Sequence, residues 1–134
     1  LEPKDDVTLV AVDVDDISQG EDPDSMGRRI VATGRLSVKD LASHDARCTP
    51  WLAAVYVPEE SRKKGYGRLI VKAVMDCARR RGEAFLHLWF PVSKELVLRP
   101  LYESLGFEEF ERTVNSNSSF GEEIVVMRWR VDLA

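Results

Sequence analysis

A chain of 134 residues with 44% apolar and 31% charged side chains has the material for one hydrophobic core, and that balance excludes a disordered polymer. Its 19 Lys and Arg against 23 Asp and Glu leave a net charge of -4, which excludes general attraction to polyanions, so any anion site must be local. Two cysteines without a CxxC or a Cys/His zinc spacing argue against a disulfide framework and a structural metal, and no apolar run approaches the roughly 20 residues of a membrane span. Reduced cysteines in a cytoplasmic protein are the simplest reading. The acidic opening Leu1-Glu2-Pro3-Lys4-Asp5-Asp6 is unlike a signal peptide, and a start without Met suits a piece of a longer chain.

Residues 7–14 alternate, with Thr8, Val10, Val12 and Val14 on one side. Residues 30–38 repeat the pattern through Ile30, Ala32, Leu36 and Val38, so both segments are expected as strands. The acidic stretch 15–27 between them reads as a long hairpin loop, and 39–50 as a second irregular segment. Residues 51–57 form an apolar run of strand length, expected to be covered on both faces. From 67 to 81 the period becomes helical: Leu69, Ile70, Ala73, Val74, Cys77 and Ala78 make one stripe, and Gly82 is a natural stop. Residues 85–90 are another buried-type strand, and this strand, helix, strand succession implies a right-handed crossover between parallel strands. Residues 96–105 have helical spacing around Pro100, which suits the first turn of a short helix ended by Gly106; a longer, kinked helix is the alternative. Segments 107–114 and 122–131 then form a final hairpin across 115–121, long enough to pair between the subunits of a homodimer.

The chemistry is expected at 57–68, where a buried strand leads into an amphipathic helix. The first amides of a helix have no intrahelical acceptor, and the macrodipole adds about half a positive charge there, so a phosphate is the natural occupant. Gly65 and Gly67 let an anion approach the backbone, and Arg62, Lys63 and Lys64 add a positive field. The stretch is not the dinucleotide fingerprint, because Ile70 stands where the third Gly belongs, and it is not a P-loop, because no Gly-Lys-Ser/Thr follows.

Arg62-Lys63-Lys64-Gly65-Tyr66-Gly67 resembles the Q/R-x-x-G-x-G/A signature of the GNAT acyltransferase superfamily, placed as in that family between a strand and a long helix. Leu101-Tyr102-Glu103-Ser104-Leu105-Gly106-Phe107 is similar to its second hallmark, a short helix with Tyr followed by Leu-Gly-Phe and a strand. The resemblance runs from about residue 51 to 131. It implies an α/β domain with a mixed, mostly antiparallel central sheet, helices on both faces and one parallel strand pair, at the strands of Tyr56 and His87. It also implies an N-acetyltransferase that moves an acetyl group from acetyl-CoA to a primary amine by direct attack in a ternary complex, without a metal. On that reading the backbone of Val55, Tyr56 and Val57 pairs with the pantetheine arm. The turn of Arg62, Lys63, Lys64, Gly65, Tyr66, Gly67 and Arg68 holds the pyrophosphate, and Tyr102 protonates the departing thiolate, as a phenol near pKa 10 can do for a thiol of about 8.5. Two departures stand out: Glu95 occupies a position where many members carry a cofactor-contacting Asn, and Pro100 interrupts the helix of Tyr102. The strand and two helices that precede the first strand in the family, and shape the acceptor site, are expected to lie outside this sequence.

Plainer readings stand beside these. Tyr102 also reads as a packed aromatic, His87 as a satisfied core histidine rather than a base, and Glu59 and Glu60 as exposed loop carboxylates. His44 and Asp45 have no defined partner in the sequence. Arg79, Arg80 and Arg81 complement the end of a helix dipole. Trp51, Trp89 and Trp129 fit core or sheet-face positions, Cys77 lies on an apolar helix face, and Cys48 has no visible activating pair. Two rival functions follow: a non-catalytic module that senses acyl-CoA, and a nucleic-acid-binding domain built on the two basic runs. The acidic net charge and the lack of a groove-reading motif disfavour the latter.

Overall fold

The computed structural model describes residues 5–13, 29–39, 48–114 and 121–131. Its strands are β1 (Val7–Val12), β2 (Ile30–Ser37), β3 (Trp51–Tyr56), β4 (Phe85–Pro91), β5 (Glu108–Val114) and β6 (Glu123–Arg130). Helix α1 (Tyr66–Arg80) joins β3 to β4, and helix α2 (Glu95–Ser104) joins β4 to β5. The strands form one sheet in the order β1-β2-β3-β4-β6-β5, antiparallel throughout except between β3 and β4. This is the mixed sheet with one parallel pair that the resemblance implies. The loop expected over 15–27, most of 39–50 and the tip of the last hairpin lie outside the described residues.

Alternation sorts the side chains into two layers. Leu86, Leu88 and Phe90 of β4 and Val125, Met127 and Trp129 of β6 pack with Ile70, Val71, Val74, Met75 and Ala78 of α1 and with Tyr102 of α2. Trp51, Ile124 and Val126 cluster separately on the other face, with Trp89 and Cys48 against them. Helices were expected on both faces; both described helices lie on the first. Burying a Leu, Ile, Val or Phe side chain contributes about 1.5–3 kcal/mol, so this layer is the main source of stability.

Two expectations need correction. The buried stripe of α1 is turned from the predicted one: Val71 and Met75 are inside, whereas Leu69 is 53% exposed. Pro100 lies inside α2 rather than in its first turn, and a 3-10 turn, Val92–Lys94, leads into that helix. A mid-helix Pro leaves the carbonyl four residues back without its donor. Here that carbonyl belongs to Leu96, which is 93% exposed and so open to water, and the longer helix survives.

Both helices end in the same way. Glu83 N–H donates to the Ala78 carbonyl (3.1 Å) and Gly82 N–H to Arg79 (3.0 Å) after α1; Phe107 N–H donates to Tyr102 (3.0 Å) and Gly106 N–H to Glu103 (3.1 Å) after α2. These are Schellman pairs, with Gly82 at φ 73° and Gly106 at φ 103° in the left-handed position the motif needs.

Candidate functional site

β3 and β4 share a single register pair, Trp51 opposite His87, reinforced by His87 N–H donating to the Pro50 carbonyl at 3.0 Å. Past that rung the two strands part. On its other side β3 stays bonded to β2 but carries an extra residue: Arg35 faces Ala53 and Thr33 faces Tyr56, so three steps on β3 match two on β2. Ala54 absorbs the mismatch at φ 54°, a conformation that costs a non-glycine residue about 1–2 kcal/mol. Thr33 Oγ1 donates to the Ala54 carbonyl at 3.4 Å. The apolar run of β3 is therefore buried only through Trp51, Leu52 and Ala53; Ala54 is exposed, Val55 half-buried, and Tyr56 is 56% exposed, contrary to the expected cover on both faces. Beyond Trp51 the edge of β3 toward β4 is in register with no described strand.

The chain then passes through a 3-10 turn, Glu59–Ser61, and enters α1 through Gly65. Lys63 at φ 65° and Gly65 at φ 83° place two left-handed residues in the turn, which bends the backbone so that successive amides face outward. Ser61 N–H bonds to Pro58 (2.8 Å), Arg62 N–H to Glu59 (3.3 Å) and Leu69 N–H to Gly65 (3.1 Å). Between them, the amides of residues 63–68 have no acceptor among the described residues. A Cβ on Gly65 would meet nothing within 4 Å, so the space above the turn is open. An open hollow of about 380 Å³ adjoins it, lined by Gly65, Arg68, Leu69 and Lys72. Leu69 lies with Arg68 and Lys72 on the outer face of α1, opposite the buried stripe, and so borders this hollow.

The side chains of the turn divide by role. Arg62 folds back, its Nε donating to the Val57 carbonyl at 2.9 Å and its guanidinium 6.0 Å from the Tyr56 ring centroid. Lys63 and Lys64 are exposed. Arg68 Nη1 donates to Ser104 Oγ at 2.8 Å, which in turn donates to the Leu101 carbonyl at 2.6 Å, tying the first turn of α1 to the end of α2.

Tyr102 lies on that tied helix, 8% exposed, its ring stacked on Phe90 (6.2 Å) and edge-on to Phe107 (5.8 Å). Its hydroxyl makes no hydrogen bond to a described residue yet is not sealed from solvent. Burial pushes the phenol above its ordinary value, so it keeps its proton across the neutral range.

Glu95 points to other work than touching a ligand. Its carboxylate accepts from Arg112 and from Arg99 Nη1 (2.7 Å), and Glu109 accepts from both arginines as well. The hydrogen bonds from Arg112, then those from Arg99, hold both carboxyls below the usual carboxylate range. The cluster fastens α2 to β5.

Other candidates resolve differently. His87 is 2% exposed, with Nδ1 3.2 Å from the Pro50 carbonyl and its ring beside Trp51, at the paired root of the gap: a core histidine. Glu59 and Glu60 are exposed, and His44 and Asp45 lie outside the described residues. Arg79 and Arg80 pair with Asp76, and Arg81 donates to the Asp5 carbonyl at 2.7 Å. Cys48 and Cys77 form no disulfide with each other or with another described residue. Among the described residues no group of three His, Cys, Asp or Glu side chains could hold a metal, and no helix is long and apolar enough to cross a membrane. Sequence reasoning did not find the bulge at Ala54 or the Arg68 to Ser104 tie; only the small-residue pair Ala53-Ala54 hints at the former.

The geometry has a counterpart among known proteins: the family described as the Acetyltransferase (GNAT) domain matches residues 9–109. The chain belongs to the GNAT family. Solved structures agree. The ribosomal-protein-S18-alanine N-acetyltransferase from Escherichia coli is similar at 25% identity and a TM-score of 0.61, covering 78% of this chain and 64% of its own. The protein yncA from Salmonella typhimurium, solved with its cofactor acetyl-CoA, matches at 24% identity and 0.62, over 78% of this chain and 60% of its own. Nourseothricin acetyltransferase matches at 20% identity and 0.68, over 96% and 66%. The chain thus spans about two thirds or less of these GNAT proteins. No curated protein matches the sequence.

Proposed function

We propose that the chain is an N-acetyltransferase that takes acetyl-CoA as donor and a primary amine as acceptor, joined in one ternary complex. The observation that carries this reading is the run of amides at 63–68, without an acceptor among the described residues, beside the mouth of the β3/β4 gap. The pantetheine arm fits against the edge of Val55, Tyr56 and Val57 in place of the strand that β4 does not supply, with the Val57 carbonyl already accepting from Arg62. The pyrophosphate fits the amides of Lys63, Lys64, Gly65, Tyr66, Gly67 and Arg68, where the dipole of α1 and the charges of Arg62, Lys63 and Lys64 favour an anion. The amine nitrogen attacks the thioester carbonyl, the N–C bond forms, the C–S bond breaks, and the thiolate takes the Tyr102 proton. The proton shed by the amine restores the phenol through solvent. Holding donor and acceptor in line supplies much of the acceleration. A reducing, cytoplasmic setting suits two cysteines that are not joined in a disulfide.

Calorimetry with acetyl-CoA, paired with release of free thiol over an amine panel, tests this. Binding with turnover is the expected result; no binding at millimolar acetyl-CoA removes the proposal. The packing of Tyr102 between Phe90 and Phe107 also favours a second reading, a sensor that binds acyl-CoA without turnover, in which Tyr102→Phe changes nothing.

A further inference from the structure

β2 reads Ile30-Val31-Ala32-Thr33-Gly34-Arg35-Leu36-Ser37, with a single charged residue. Gly34 faces α1, since a Cβ there would lie 3.2 Å from Ile70 Cγ1 and 3.3 Å from Val74 Cγ2. Alternation puts Arg35 and Thr33 on the opposite face, away from both described helices. Arg35 is half-buried, its Nε is sealed from solvent, and among the described residues it has no hydrogen bond, ion pair or ring contact. A dry guanidinium donor left unbonded destabilises the fold.

Its place in the sheet is specific. Arg35 sits opposite Ala53, which lies one residue before the bulge at Ala54 and just past Trp51, the β3 residue in register with β4. Thr33, the next residue on the same face, holds the bulge carbonyl. The turn at 63–68 and Tyr102 belong to the helix side. A thioester reaching through the gap from that side is therefore met by an amine arriving from the face of Arg35.

Resting on the proposed acetyl transfer, we propose that Arg35 selects the acceptor: the site takes an amine that carries a carboxylate, which the Arg35 fork binds while the amine faces the thioester. A planar guanidinium matches a carboxylate with two parallel bonds. The net charge of -4 gives anions no general attraction, so selection at this point must be local.

The test is an acceptor screen in matched pairs, reading free thiol: amino acids against their carboxamides, and peptides with Glu against Gln beside the amino terminus. The first pair reports an α-carboxylate and the second a side-chain one. The wild type is expected to favour the anionic member of at least one pair by tenfold or more in kcat/KM. Arg35→Met should lose that preference through a higher KM, keep the rate on the neutral member and the acetyl-CoA affinity, and melt at a higher temperature than the wild type. Arg35→Lys should recover part of the preference. A wild type that turns over no anionic member, or prefers neutral ones, overturns the proposal; so does an Arg35→Met variant that slows both members equally or melts lower. Acetyl-CoA calorimetry on the same samples separates the two ideas: bound donor without anionic preference sinks only the role of Arg35, whereas no bound donor sinks the acetyl transfer beneath it.

Discussion

Phe107 holds Tyr102 twice: its amide donates to the Tyr102 carbonyl at 3.0 Å, and its ring meets the Tyr102 ring edge-on at 5.8 Å. The backbone bond belongs to the Schellman end of α2, and the ring contact is the apolar pairing that accompanies that motif. The sequence Tyr-x-x-x-Gly-Phe is thus a device for fixing one phenol. Phe107 is 1% exposed, so Phe107→Ala should cost about 3–5 kcal/mol in denaturant unfolding. In the remaining folded protein, turnover should fall more than acetyl-CoA affinity, because the cavity loosens Tyr102 and leaves the turn at 63–68 in place.

Tyr102→Phe separates acid from packing. The hydroxyl has no partner to lose, so the variant should stay within about 1 kcal/mol of the wild type, while turnover falls on the order of 100-fold with donor binding intact. The pH dependence has a definite sign. Burial raises the phenol, so its contribution to stability is complete at neutral pH and is lost as pH rises from the ordinary value of 10.0 through the folded one. Thermal melts from pH 8 to 11 should show that alkaline slope flattened in Tyr102→Phe.

Gly65 and Gly82 form a matched control. Both have positive φ, 83° and 73°, and at both a Cβ would meet nothing within 4 Å. Ala at either position should cost about 1 kcal/mol from the left-handed conformation. Only Gly65→Ala should also weaken acetyl-CoA, by tenfold or more in calorimetry, because its methyl would stand over the amides of the turn.

The cluster of Glu95, Arg99, Glu109 and Arg112 predicts an acid-sensitive joint. Hydrogen bonds from Arg112 and then Arg99 lower both carboxyls, so their stabilisation is present above the ordinary value of 4.5 and is lost as pH falls through the lower folded values. The groups are partly open to water, so solvent screening keeps the effect small. Glu95→Gln should flatten the drop in melting temperature below pH 4.5 while leaving acetyl-CoA affinity unchanged. A loss of affinity would instead place Glu95 at the ligand.

Much of this arrangement was legible beforehand. Alternation located the strands to within a residue or two, the helical period located α1, and Gly65, Gly82 and Gly106 marked backbone turns that only tertiary context could have overridden. What escaped was decided at a distance. Beyond the small pair Ala53-Ala54, nothing in Trp51-Leu52-Ala53-Ala54-Val55-Tyr56 announces a bulge, because its place is set by the pairing with β2. Leu69 looks like core until Val71 and Met75 are seen to take the inner face of α1. Pro100 argues for a shorter helix until the exposure of Leu96 shows that water can take the orphaned carbonyl. Glu95 and Arg112 meet only because β5 brings them together, and a charge in the middle of β2 is visible in sequence while its lack of a partner is not.

With one rung between β3 and β4, the molecule is built as two three-stranded leaves bound along a spine. Amide exchange should accordingly report two protected blocks, β1-β2-β3 and β4-β6-β5, coupled less by their backbones than by the side chains of α1 and the Arg68 clasp on Ser104. A guest lying along the spine would stitch the leaves together, slowing exchange in both at once although it touches few of the protected amides.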